Sequence, residues 1–96
     1  MRTYELMIII DPEVDERTVG ETLEKFLQPI QEDEGSSVEV DIWGKRRLAY
    51  EINKRFEGIY VVLNLTTSPQ AAQELNRKLG LAEFVMRTKL IRPDAK

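Results

Sequence analysis

Along this chain the spacing of apolar residues switches between a period of two and a period of three to four, and that succession leaves little freedom in the fold. From Thr3 to Ile10 the period is two: Tyr4, Leu6, Ile8 and Ile10 point one way and Thr3, Glu5, Met7 and Ile9 the other, as in a strand. Asp11-Pro12 ends it, because proline lacks the N–H that a ladder needs. From about Asp15, Val19, Leu23, Leu27 and Ile30 recur at helical spacing, with Phe26 widening the stripe. Asp15 is placed to cap that helix, Pro29 to kink or shorten it, and Gly35 to end the segment. Alternation returns with Val38, Val40 and Ile42, is interrupted by Gly44, and resumes with Leu48, Tyr50 and Ile52, which predicts one long strand bulged or bent at the glycine. Asn53 to Gly58 predicts a turn and Ile59 to Thr67 a third strand. Ser68-Pro69 is a cap followed by proline at the first helical position, opening a helix through Ala72, Leu75 and Leu79 that Gly80 would end. Val85 to Arg92 predicts a last strand, stopped by Pro93.

The order is β-α-β-β-α-β. Two right-handed β-α-β crossovers interleave, giving an α+β, ferredoxin-like architecture: a four-stranded antiparallel sheet with both helices on one face. Ninety-six residues suit one domain, 1–96, with a short tail after about residue 93. The fold by itself assigns no function.

Composition removes several function classes. With no Cys and no His, disulfides, thiolate chemistry, Cys/His metal sites and Ser–His or Cys–His nucleophile pairs are absent. No apolar run approaches the ~20 residues that span a bilayer, and the N-terminus lacks the features of a signal peptide. Carboxylate pairs such as Asp11 and Glu13, or the run Glu32 to Glu34, sit at helix ends and loops with no converging partner, so no catalytic or metal role is read there. The first strand–helix junction, Asp11 to Asp15, is acidic and would repel an anion. We expect no enzyme, no cofactor, no metal, no small-molecule substrate and no membrane association.

The net charge of −3 argues against a nucleic-acid binder, but its distribution argues for one. Residues 1–43 hold three basic and twelve acidic side chains, a balance of −9; residues 44–96 hold eleven basic and five acidic, a balance of +6. Either the charges cluster by accident, or one side of the molecule meets a polyanion while the other faces water. The densest basic run, Lys45-Arg46-Arg47, follows Gly44 in mid-strand between Trp43 and Tyr50. A bulge at Gly44 would turn these side chains off the sheet edge, where guanidinium forks suit phosphate oxygens and the aromatic rings suit unpaired bases. The competing reading is that edge charges prevent sheet-to-sheet association while the aromatics simply pack.

The helices leave one sheet face open. Thr3, Glu5, Met7 and Ile9, then Tyr60, Val62, Asn64 and Thr66, then Val85, Arg87, Lys89 and Ile91 are expected on it. Apolar Met7, Ile9, Tyr60 and Val62 there suggest a protein-docking surface, against the alternative of scattered surface hydrophobes. The third strand lacks the aromatic signature of the RNA-recognition module that shares this topology.

Met1-Arg2-x-Tyr4-Glu5, the segment Gly44-Lys45-Arg46-Arg47-Leu48-Ala49-Tyr50-Glu51-Ile52-Asn53, Gly58-x-Tyr60 and Val85-Met86-Arg87-Thr88 resemble the bacterial ribosomal protein S6 family (S-six of the small subunit). Length and element order extend the resemblance from Met1 to about Pro93. It implies a non-enzymatic, cytoplasmic, ribosome-associated role in translation. The protein would bind the central domain of small-subunit ribosomal RNA, where the platform is built, as a heterodimer with ribosomal protein S18 (S-eighteen). Family members commonly carry a longer C-terminal tail than the few residues after Pro93 here, so the resemblance does not carry tail contacts over, while it leaves the sheet and the Arg46–Arg47 segment untouched. Combining residues and resemblance, the candidates for RNA are Arg2, Lys45, Arg46, Arg47, Arg87 and Lys89. Those for the partner are Glu5, Met7, Ile9, Tyr60 and Val62, and the structural positions are Gly44, Leu48, Tyr50 and Ile52. A regulatory small-ligand module and a ferredoxin-like enzyme remain the competing classes, disfavoured by the acidic loop and the missing His and Cys.

Overall fold

The computed structural model describes residues 1–92, so the expected stop at Pro93 and the tail after it lie outside the described residues. Within them, the alternating segments form β1 (Arg2–Ile10), β2 (Ser37–Ile52), β3 (Arg55–Thr67) and β4 (Val85–Ile91), and the helical stripes form α1 (Val19–Gln31) and α2 (Pro69–Leu81). The sheet order is β2-β3-β1-β4, with every neighbouring pair antiparallel. This is the expected ferredoxin-like arrangement. On one face, Tyr4, Leu6, Ile8 and Ile10 of β1 and Ile59, Val61, Leu63 and Leu65 of β3 are buried against Val19, Leu23, Leu27 and Ile30 of α1 and Ala72, Leu75 and Leu79 of α2. Burying each such aliphatic side chain is worth ~1.5–3 kcal/mol. A one-residue slip of either central strand would send its whole set to the wrong face, so this seam fixes the register.

Element ends depart from the sequence reading in four places. A 3-10 turn, Glu16–Thr18, precedes α1, and Asp15 caps that turn: its carboxylate accepts from the Arg17 N–H at 3.0 Å. Pro29 lies inside α1, so near the C-terminal end that the helix continues to Gln31. Ser68 does cap α2, its hydroxyl accepting from the Ala71 N–H at 3.2 Å, but the helix runs through Gly80 and ends against Ala82. The turn expected over Asn53 to Gly58 is only Asn53-Lys54, both left-handed (φ 49° and 63°). Gly58 belongs to β3, where a Cβ would overlap Ile9 Cγ2.

Two irregularities shape the edges. In β4, Arg87 pairs with Ile9 but Val85 pairs with Ile10, so Met86 is an extra residue. That bulge turns Val85 into the helix-side core, not onto the open face as alternation alone predicted. In β2, Gly44 has φ +89° and the register skips between Ile42 and Gly44, as expected of a bulge. A second departure was not foreseen. Between Arg47, opposite Glu57, and Ile52, opposite Arg55, β2 runs through four residues where β3 has only Phe56.

Candidate nucleic-acid interface

Gly44 decides how the basic run is presented. Its bulge sets Trp43 on the open face, with the indole parallel to the Tyr60 ring (interplanar 5°, centroids 6.5 Å apart). The indole N–H donates to the Asp41 carboxylate at 3.0 Å, which fixes the ring's orientation. Beyond the glycine, Glu16 reaches across from the 3-10 turn and its carboxylate accepts the Lys45 backbone N–H at 2.6 Å, clamping the bulged strand. Arg46 and Arg47 point alternately along the strand, yet both border one shallow depression with Trp43 and Tyr60. Lys45, Arg46 and Arg47 are exposed, and no ion pair engages them among the described residues. Two bare guanidinium groups beside an ordered aromatic stack form a surface suited to phosphate and base together.

The excursion of β2 after Arg47 builds the rest of the open face. Freed from the β3 ladder, residues 48–51 cross over the sheet. Leu48 and Ile52 bury themselves on Ile9, with Tyr60 and Met86 at the margin. Their burial changes the docking surface. Ile9 is 7% exposed and Val62 5% exposed, so neither is the solvent-facing apolar residue that alternation predicted. Ile9 lies under β2's own side chains, and Val62 is hemmed between Met7 and Asp41 of the flanking strands. Met7, Glu5 and Tyr60 remain half-buried.

Tyr50, counted among the structural positions, is 60% exposed, against the competing reading in which it simply packs. The same excursion carries it to β4, where its hydroxyl accepts from Arg87 Nη1 and the guanidinium lies 5.5 Å from its ring centroid. A cleft of ≈ 220 Å³ remains between the excursion and the sheet, floored by Met7, Ile9 and Leu48 and rimmed by Tyr50, Arg87 and Lys89.

Register shows which candidate cations belong together. Gly44, Tyr60, Ile9 and Arg87 share one row across the sheet, with Lys89 one row further along the face on β4. Three strand spacings, roughly 14 Å, separate β2 from β4 in that row. Arg46, Arg47, Arg87 and Lys89 therefore flank the same end of the open face. Arg2 does not. It pairs with Thr67, whereas Arg46 pairs with Gly58, which puts Arg2 roughly 30 Å away along the strand direction. The rows between them carry Glu39, Asp41 and Glu5, so the open face is basic and aromatic at one end and acidic toward the other.

Asp11 and Glu13, one of the carboxylate pairs noted in the sequence, hold Arg55. Glu13 and Asp11 lie 3.1 Å and 3.9 Å from Arg55, and Asp11 also accepts the Glu13 N–H at 2.9 Å. No cluster able to hold a metal ion exists among the described residues, and no described helix is long and apolar enough to cross a membrane. The Glu16 clamp left no trace in the sequence. Glu16 and Lys45 are 29 residues apart, and Glu16 reads there only as an acid at a helix start. The pairing of Trp43 with Tyr60 was equally hidden, because it needs the register of two strands.

Residues 3–92 match the family model described as Ribosomal protein S6. The chain is 70% identical to the small ribosomal subunit protein bS6 of Beutenbergia cavernae over 95 residues, covering 99% of each. It is 53% identical to the bS6 of Acidothermus cellulolyticus over 96 residues, all of both chains. Among solved structures it is similar to the crystal structure of 30S ribosomal protein S6 from Thermotoga maritima, with a TM-score of 0.81 and 33% identity over 95% of this chain and 86% of that one. Sequence, fold and the segment around Gly44 thus converge: the chain belongs to the ribosomal protein S6 family, ribosome-associated structural proteins of the bacterial small subunit and not enzymes.

Proposed function

We propose that this chain binds small-subunit ribosomal RNA, in the central domain that forms the platform, as a heterodimer with ribosomal protein S18. One observation carries the RNA half of this reading. Arg46 and Arg47 stand exposed on a bulged edge, without ion pairs among the described residues, bordering the same depression as the Trp43–Tyr60 stack. Lys45 adds charge beside them, and Arg87 and Lys89 add it across the face. Arg2, at the far end, is a separate contact. Binding of the purified chain to a central-domain junction RNA, measured over a salt series with and without S18, tests the proposal. Affinity should fall as salt rises and should tighten with S18 present. Binding that ignores both salt and S18 would sink it.

The partner half rests on the cleft under the β2 excursion. Met7 and Tyr60 are its accessible members and Ile9 lies on its floor, while Val62, beside Met7, and Glu5, opposite Asn64, continue the face outside the cleft. Met7→Glu places a carboxylate where an apolar group would be covered, and an unpaired buried polar group is costly. Association with S18 should weaken about tenfold, with unfolding still cooperative. Unchanged calorimetric titration would mean that this face docks nothing.

A further inference from the structure

We infer that Trp43 is a stacking platform for one unpaired RNA base, with the adjoining phosphates held by Arg46 and Arg47. The inference rests on the RNA-binding reading above and specifies its chemistry. Trp43 is the chain's single tryptophan and is 45% exposed on a strand; Tyr50 and Phe56 are more exposed, but neither stacks on another ring among the described residues. It is also held still. The Asp41 carboxylate anchors its N–H at 3.0 Å, and the Tyr60 ring lies parallel to it with centroids 6.5 Å apart. A large ring so fixed, with much of its surface in water, can accept a flat ligand without paying to order itself.

The neighbouring charges choose the ligand. Apolar protein side chains would gain nothing from two bare guanidinium groups at the same depression, whereas a nucleotide presents a ring and an anion together. Asp41 sets the direction. Its carboxylate would repel phosphate on its side of the indole, so the RNA backbone must pass on the Arg46–Arg47 side. A duplex is excluded by the same geometry, because its bases are already stacked on one another and are not free to leave.

Because Trp43 is the only indole, intrinsic fluorescence reads this site alone. Wild-type protein is titrated with single-stranded hexa-adenylate, with a duplex of equal charge, and with pyrophosphate. Quenching is expected with the single strand only. By anisotropy of labelled hexa-adenylate, Trp43→Leu should bind about tenfold more weakly, with an unchanged dependence on salt, since stacking releases no counterions. Trp43→Phe keeps a flat ring and should recover most of the affinity, which separates stacking from any folding defect of the leucine variant. If wild-type protein binds the single strand without quenching and Trp43→Leu binds equally well, the platform is wrong and the RNA reading stands. If no RNA binds at any salt, both fall. If S18 quenches the indole and abolishes quenching by hexa-adenylate, Trp43 belongs to the protein interface and the proposal is overturned.

Discussion

Arg77 and Lys78 on α2 and Arg46 and Arg47 on β2 are adjacent basic pairs of equal formal charge, yet their surroundings treat them differently. Arg77 lies one turn from Glu74, with Nη2 2.5 Å and Nε 3.1 Å from its two carboxylate oxygens. That forked contact holds the Glu74 carboxyl below its usual pKa and raises that of Arg77, so the pair stays ionised and mutually neutralised. On the β2 edge no carboxylate reaches Arg46 or Arg47 among the described residues; Glu16, the acid that does approach, spends an oxygen on the Lys45 backbone N–H. A helix places i and i+3 side chains side by side, which makes local neutralisation easy. On the bulged edge Glu57 stands opposite Arg47 in register, yet no ion pair forms between them among the described residues. The field available to a polyanion is therefore set by what the backbone lets each cation find, more than by the count of cations.

The largest expected effect separates the two pairs directly. Replacing Arg46 and Arg47 with Ala should reduce the log–log salt slope of RNA binding by about 1.4 to 1.8, if each meets one phosphate. Affinity should fall roughly 30-fold at 0.1 M salt. Lysine at both positions should keep most of the slope but lose forked geometry, so affinity should fall less. Arg77→Ala with Lys78→Ala removes the same charge and should change little. Equal losses in the two double variants, measured on the S18-loaded protein, would show that diffuse charge binds RNA and that the edge is not special.

The next effect tests whether the backbone really sets up the difference. Gly44→Val forces a β-branched residue to φ +89°, a left-handed conformation that costs about 1–2 kcal/mol. A Cβ at residue 44 would also come within 2.9 Å of Glu16 Oε1. That atom is the end of a flexible side chain, so the torsion should dominate. Urea unfolding of Gly44→Val, Glu16→Ala and the double variant distinguishes the two causes. If torsion dominates, the glycine substitution costs nearly as much without Glu16 as with it. Strong coupling between the sites would instead assign the cost to the clash, and the bulge would be a consequence of the clamp.

Gly44 and its arginines were legible in the sequence while the excursion of β2 beyond them was not, for a physical reason. Periods of two and 3.6 report which face each residue shares, so the element order, the helix-side core and even the Gly44 bulge could be read from the sequence. Periodicity cannot report a strand that leaves its partner. Nothing in Leu48-Ala49-Tyr50-Glu51 announces that β2 quits β3 there, yet that excursion covers Ile9, exposes Tyr50 and brings it to Arg87. The Met86 bulge misled in the same way, turning Val85 inward. The turn read over Asn53 to Gly58 contains Asn53-Lys54 but is drawn too long, because those two residues take the left-handed conformation without the usual glycine and Gly58 is a strand residue pressed on Ile9. The cation candidates were legible as types, but their grouping was not: only register puts Arg87 and Lys89 near Arg46 and removes Arg2.

The smallest effect asks whether the ion pair is what silences Arg77. Glu74→Gln removes the negative partner while leaving the shape nearly unchanged, so Arg77 becomes a bare cation like Arg46. Non-specific RNA binding should then rise by about twofold and the salt slope by less than one, because exposed ion pairs are weak and already partly screened. Acid should do the same to the unmodified chain. The folded pKa of Glu74 is lowered, so its pairing contributes stability above the unfolded carboxylate value and loses it as pH falls through the lowered one. Asp15, held low by Arg17, follows the same sign. Both groups are fully exposed, so the loss of stability on acidification should be slight, and Glu74→Gln should differ from the parent near neutrality but converge with it in acid. The informative comparison is the RNA salt slope of Glu74→Gln against that of Glu74→Gln with Arg77→Ala. If freeing Arg77 is the cause, the second substitution cancels the gain. A gain that persists without Arg77 would mean that the lost carboxylate acted at long range, and that the contrast between helix and edge is one of overall field and not of local pairing.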